Sequence, residues 1–275
     1  MIHARYSFKS VWLRGEVFAI CSSVGEGCGT VERIDMLSKR RTLLQQRLPL
    51  PAGLRCLSAA VLDDRLYIIG GRYRNEEAGR NVISDAMYCL VDHPTDPSAA
   101  TWTLQPGKLN TPRCYHASIS FEGRMWVAGG EGNDVNMLSS VEVYNAVSKK
   151  WEVVQSMTKR RYNFNLLVVR SELYAVGGDA IISIEKLDKV SGGWRVVTVL
   201  EGECRYACGA ACMGSKIYVF GGGGLIDNHR STWNFFDVET EQWASASTSV
   251  EHRQLPREFC AGSALVVPSS TFTYT

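Results

Sequence analysis

Long hydrophobic runs are missing from this chain, and so is any excess of one charge. No stretch approaches the roughly eighteen apolar residues that a membrane helix requires, so no helical span is expected. The 275 residues carry 30 basic and 28 acidic side chains, a formal charge of +2. That balance gives no electrostatic case for wrapping nucleic acid, whose binding needs a concentrated basic footprint. The run Lys39-Arg40-Arg41 reads as solvated loop charge. Met1 to Ser10 has charge but no sustained apolar core and does not read as a secretory signal. The nine cysteines are odd in number, in a chain too long to be a disulfide scaffold. They read as free thiols of a reducing compartment, and the chain is expected to be cytoplasmic. Helical 3.6-residue periodicity is also absent.

What is present repeats. Four apolar runs end in a glycine pair: Leu66 to Ile69 before Gly70-Gly71, Met125 to Ala128 before Gly129-Gly130, Leu173 to Val176 before Gly177-Gly178, and Ile217 to Phe220 before Gly221-Gly222. Val17 to Ile20, ending in Cys21-Ser22, is a degenerate fifth copy. The second positions of these pairs lie 49, 59, 48 and 44 residues apart. Arginine stands sixteen residues before the first Gly at Arg113, Arg161 and Arg205, with Arg5 at that distance from Cys21 and Arg55 one residue closer to its glycine. A second β-type run follows each pair, as in Val141-Glu142-Val143-Tyr144-Asn145, Ile184 to Asp188 and Asn234 to Asp237, with Val31 to Asp35 as the first copy's version. Six residues after its last Asn or Asp comes Trp151, Trp194 or Trp243. The second copy reaches Trp102 after a longer insertion, and Arg41 fills the tryptophan slot of the first.

Short β-branched and aromatic runs bounded by Gly, Asp, Asn and Ser are strand signals. Each repeat therefore supplies about four strands, a small twisted sheet with two apolar faces that a single sheet cannot bury. Sheets set radially around an axis bury both faces on their neighbours. The tryptophans and third-strand aromatics supply the area between them. The fold expected is all-β, a propeller.

Arginine, strand, Gly-Gly, Val-Glu-Val-Tyr-Asn and Trp in that order resemble the kelch repeat, over about residues 5 to 267. The chain is most similar to the propeller of the Kelch-like family. In that family the propeller follows a dimerising BTB domain and recruits substrates to cullin-based ubiquitin ligases. Two departures are expected: no room for a BTB domain, and five recognisable blades where that family has six. The repeats run over about 5–50, 55–105, 113–155, 161–199 and 205–246 of a single propeller, 1–275. Leu255 to Val267 matches the opening of a repeat and then stops. The resemblance implies that 257–267 is a closing strand, innermost in the first blade, which leaves residues 1 to 13 surplus or at an extra edge. A missing sixth blade is the other reading.

Rotation of the repeats places Arg55, Arg113, Arg161, Arg205 and Arg257 around one mouth of the central channel, with Tyr115, Tyr162 and Tyr206 beside them. Guanidinium groups so placed suit bidentate capture of carboxylates. In Kelch-like propellers matching arginines bind acidic peptide segments, so the resemblance implies a protein partner of that kind. The competing reading is that these arginines make structural hydrogen bonds to neighbouring loops. Binding to actin filaments is a second functional expectation, since some kelch proteins do so. Enzymes also occur on this fold, among them copper-radical oxidases and sugar mutarotases. Here the five histidines show no metal-ligand spacing, and Gly221 to Gly224 lacks the Lys-Ser/Thr of a phosphate loop. Cys204, Cys208 and Cys212, four apart, read as small packing residues. No cofactor or metal is expected, and the chain is read as non-catalytic.

Overall fold

Tight reversals set the repeating unit. Arg14-Gly15, Asp63-Asp64, Glu122-Gly123 and Arg170-Ser171 each place two successive residues at positive φ, the backbone of a hairpin turn that matches strand twist. The computed structural model describes residues 8–21, 29–44, 54–93, 95–178, 182–200, 207–221 and 233–245. The first sheet joins β1 (Phe8–Leu13), β2 (Glu16–Cys21), β3 (Val31–Asp35) and β4 (Arg41–Leu43) in sequence order. The second joins β5 (Ser58–Leu62), β6 (Arg65–Ile69), β9 and β10, because a separate hairpin, β7 (Arg72–Asn75) with β8 (Arg80–Ile83), interrupts it before β9 (Met87–Val91) and β10 (Thr101–Leu104). The third is β11 (Ala117–Phe121), β12 (Arg124–Ala128), β13 (Val141–Asn145) and β14 (Lys150–Val154). The fourth is β15 (Asn165–Val169), β16 (Glu172–Val176), β17 (Ile182–Leu187) and β18 (Trp194–Leu200). The fifth is β19 (Gly209–Met213), β20 (Lys216–Phe220), β21 (Trp233–Asp237) and β22 (Gln242–Ser245).

All pairings are antiparallel, and the five innermost strands β1, β5, β11, β15 and β19 stand side by side in that order. The chain is an all-β kelch-type propeller of five blades arranged in a ring. Among the described residues four apolar cores fill the gaps between successive blades. Trp102 lies in the core between blades one and two, Trp151 between two and three, Trp194 between three and four, and Trp243 packs against the core between four and five. Each pairs with the equivalent residue of the strand before it, Leu90, Tyr144, Leu187 and Phe236. These tryptophans are rotated copies of one position.

One expectation changes. The innermost place of blade one, assigned from sequence to residues 257–267, is held by β1, so Phe8–Leu13 is neither surplus nor an extra edge. Blade one is complete from its own repeat. Residues 257–267 lie outside the described residues.

Candidate functional site

The arginine sixteen residues ahead of each glycine pair is an internal clamp. Arg113 donates from Nη1 to the Gly129 carbonyl at 2.8 Å and to the Ser140 carbonyl at 3.1 Å. Its Nη2 reaches Glu142 Oε1 at 2.6 Å. Arg161 repeats the arrangement with the carbonyls of Gly177 and Ser183, and its Nη2 meets Glu185 Oε1 at 2.8 Å. The spacing of sixteen is thus the reach from the arginine to the carbonyl of its own glycine. Both ion pairs are fully buried, with 0% side-chain exposure on each partner. The glutamates also accept backbone N–H groups from the preceding loop, Asn110 and Thr111 on Glu142, Thr158 and Lys159 on Glu185. The arginine backbone carbonyl serves the neighbouring blade, since Gly71 donates to Arg113 O and Gly130 to Arg161 O.

Arg113 and Arg161 are therefore removed from the expected ring of partner-binding guanidinium groups. Both are held by their own blade's glutamate and carbonyls and, at 0% side-chain exposure, neither is reachable from the mouth. Arg55 is corrected differently. The residue sixteen before Gly70 is Leu54, and Arg55 aligns with Cys114 and Tyr162, fifteen before their glycines. Backbone pairing says the same: Arg55 exchanges hydrogen bonds with Arg72 as Cys114 does with Glu131. Arg55 is half-buried, and its Nη2 donates to Asn81 Oδ1 of β8 at 3.1 Å. Arg205, Tyr206 and Arg257 lie outside the described residues.

What converges at the mouth is a smaller cluster. Cys56, Tyr115, Asn163 and Ala207, each fourteen before its glycine, all hold positive φ, between +50° and +57°. Tyr115 N donates to Cys56 O and Asn163 N to Tyr115 O, each at 2.8 Å, so successive blades are linked backbone to backbone around the opening. Over this girdle Tyr115 and Tyr162 meet edge to face, 6.3 Å between centroids. Arg72, at the base of the β7–β8 hairpin, sets its guanidinium carbon 4.8 Å from the Tyr115 ring centroid and donates from Nη2 to the Tyr115 hydroxyl at 2.7 Å. Its Nε is buried without a hydrogen-bond partner, and Glu131 Oε1 stands 4.0 Å from Nη1. Burial, then the bond to Cys56, push the Tyr115 hydroxyl above its ordinary pKa. Burial, reinforced by Glu131, likewise drives the Cys114 thiol to about 12. Both stay protonated at neutral pH.

Sequence reasoning missed Arg72, Glu131, Glu142 and Glu185. The glutamates carried a signal, since Glu32, Glu142 and Glu185 share one place in the second β-type run, opposite Ala19, Val127 and Ala175. Arg72 carried none, because the residue after the glycine pair differs from blade to blade.

A family model described as Kelch motif matches residues 112–158. Kelch-like protein 35 of Mus musculus is 28% identical over 155 residues, 55% of this chain and 26% of its own length. Kelch-like protein 41 of Homo sapiens is 26% identical over 231 residues, 62% of this chain and 36% of its length. A putative F-box/kelch-repeat protein of Arabidopsis thaliana is 25% identical over 229 residues, 82% of this chain and 63% of its length. The chain thus spans less than two thirds of each of these relatives. Among solved structures, that of YjhT superposes with a TM-score of 0.72 at 12% identity, over 88% of this chain and 84% of that one, a likeness of fold. Matched on rhythm, register and fold together, the chain is a kelch-repeat β-propeller with distant similarity to the Kelch-like proteins, over their propeller portion alone.

Proposed function

We propose that this propeller is a non-catalytic recognition module that grips an acidic segment of a protein partner at the mouth carrying the β7–β8 hairpin. The observation behind the proposal is Arg72. Its guanidinium is braced against Tyr115, its side chain is 27% exposed, and Glu131 comes no nearer to Nη1 than 4.0 Å. A planar, pre-oriented fork of that kind suits a carboxylate. Arg55, half-buried, exchanges backbone hydrogen bonds with it, exposed Arg80 stands at the far end of the hairpin opposite Asn75, and Arg74 is partly spent on Glu76 at 3.8 Å. Strongly raised pKa values at Cys114 and Tyr115 argue against a nucleophile or base at this mouth. A cytoplasmic setting, in which the free thiols Cys56, Cys89, Cys114, Cys208 and Cys212 persist, belongs to the same proposal. A role as substrate adaptor for a cullin-based ligase rests on the Kelch-like resemblance.

The test is to pan the full chain against an array of acidic and charge-neutral peptides, then to repeat it with Arg72→Ala. Selection of acidic peptides and a loss of about 2 kcal/mol or more in their affinity on substitution, as for a charged hot-spot residue, supports the reading. Selection of neutral peptides, or indifference to Arg72, overturns it.

A further inference from the structure

Along the propeller axis the innermost strands of all five blades border a half-open cavity of about 110 Å³, lined among others by Lys9, Ser58, His116, Ser118, Asn165 and Ala210. These come from β1, β5, the lead-in to β11 and β11 itself, β15 and β19, so the space belongs to the ring as a whole. It is too small for a drug-sized ligand, which takes about 300 Å³ or more. Its lining holds one cationic side chain, Lys9, and no carboxylate among the described residues. Lys9 is half-buried by surface and lines this space. Among the described residues a charge placed there gains no ion pair for the water it loses, an arrangement that costs free energy unless something supplies the missing partner.

The polar groups lining this space with Lys9 are hydroxyls, an imidazole and the amide of Asn165, whose Nδ2 donates to Cys208 O at 3.0 Å. Ser118 Oγ is buried with no hydrogen-bond partner. Ser58 Oγ lies 2.6 Å from His116 Nε2, and His116 Nδ1 is unpartnered. Either tautomer fills that contact, with Ser58 donating to Nε2 or Nε2 donating to Ser58. Burial, then the charges of Arg113 and Lys9, hold His116 far below its ordinary pKa, which keeps the ring neutral. Burial also lowers the pKa of Lys9. Cation, hydroxyls and imidazole line one space with no acceptor charge among the described residues to complete them.

The geometry points to a binding site for one small free oxyanion, of phosphate or short-carboxylate size, in this axial cavity, with Lys9 supplying the charge and Ser118 and the Ser58–His116 pair the hydrogen bonds. Arg72, Tyr115 and Tyr162 of the mouth are not among the residues lining it.

Thermal denaturation of the full chain, titrated with sodium phosphate and separately with sodium acetate against sodium chloride at matched ionic strength, tests it. A site gives a midpoint that rises and saturates, whereas the general stabilising action of phosphate as an excluded salt rises without saturating. Saturation in either anion supports the proposal, and the arm that saturates first names the preferred oxyanion. In Lys9→Met the saturating response is expected to vanish while the chain without anion is at least as stable as before. Ser118→Ala is expected to weaken binding by roughly tenfold, the usual worth of a hydrogen bond to a charged group. A non-saturating response to both anions, a saturating one that survives in Lys9→Met, or an affinity unchanged in Ser118→Ala each overturns it.

Discussion

Blades two and three wrap the same backbone around opposite chemistry. In blade three the inner corner holds Arg113 and Glu142, fully buried and ion-paired. In blade two the same two places hold Leu54 and Tyr88, 4% and 7% exposed, both within an apolar core. Register establishes the equivalence, since Tyr88 faces Ile68 as Glu142 faces Val127, and Leu54 stands sixteen before its glycine. Strand order, glycine pair and outer tryptophan are common to both blades, so the ion pair is not what makes a blade. Desolvation of two buried charges roughly offsets their attraction. What the clamp imposes is mutual dependence: with one partner in place, the other is obligatory.

That dependence gives the largest expected effect. Glu142→Ala leaves Arg113 buried and unpaired and strips the Asn110 and Thr111 N–H groups of their acceptor. Urea denaturation should show a loss of about 3–5 kcal/mol. The double change Arg113→Leu with Glu142→Tyr, which gives blade three the pair found in blade two, should recover much of it. The coupling energy is expected toward the upper end of about 0.5–3 kcal/mol. Additive losses would break the equivalence of the two corners.

The shared features should respond alike in both blades. Trp102 and Trp151 are 6% and 5% exposed, and truncating either to Ala should cost about 3–5 kcal/mol by the same denaturation assay. The first glycine of each pair comes next. At Gly70 an added Cβ would lie 2.5 Å from Arg113 O, and at Gly129 2.6 Å from Arg161 O, with φ +59° and +61°. The left-handed backbone alone makes Gly70→Ala and Gly129→Ala cost about 1–3 kcal/mol each. Since these glycines abut the neighbouring blade's backbone, the two losses should be equal whichever pair fills the corner. Unequal losses would show that the corner and the blade interface are coupled.

The same comparison marks what was legible in the sequence. Gly70-Gly71 and Trp102 could be read because backbone geometry and interblade area demand those residue types at each rotation, and their spacing exposed the repeat. The arginine spacing was visible too, but not its direction. Whether Arg113 turns outward to a partner or inward to Glu142 depends on a carboxylate 29 residues away, and a linear pattern does not show which strands will stand beside each other. Arg55 misled because arginine identity outweighed a one-residue offset, and one residue on a strand turns a side chain to the opposite face. Arg72 and Lys9 could not be found by repetition at all. Sites built from residues that differ between blades are invisible to the signal that finds blades.

His116 is such a difference, and it gives the smallest effect. Thirteen residues before their glycines, blades two, four and five carry Leu57, Phe164 and Cys208, while blade three carries this histidine, 1% exposed. Its pKa is held well below 6.5, first by burial and then by the nearby charges of Arg113 and Lys9. As pH falls through 6.5 the unfolded chain takes up a proton there that the folded chain refuses. Stability contributed by the neutral ring is therefore present above 6.5 and lost below it, at up to about 1.4 kcal/mol per pH unit. His116→Leu, which gives blade three the residue of blade two, should abolish that slope. Urea midpoints of the two proteins should run parallel above pH 7.5 and diverge between pH 6 and 5, with the wild type falling faster, about one proton's worth per molecule. Curves parallel throughout would mean that the folded ring accepts the proton, and that the interior of blade three is more polar than its neighbours' interiors.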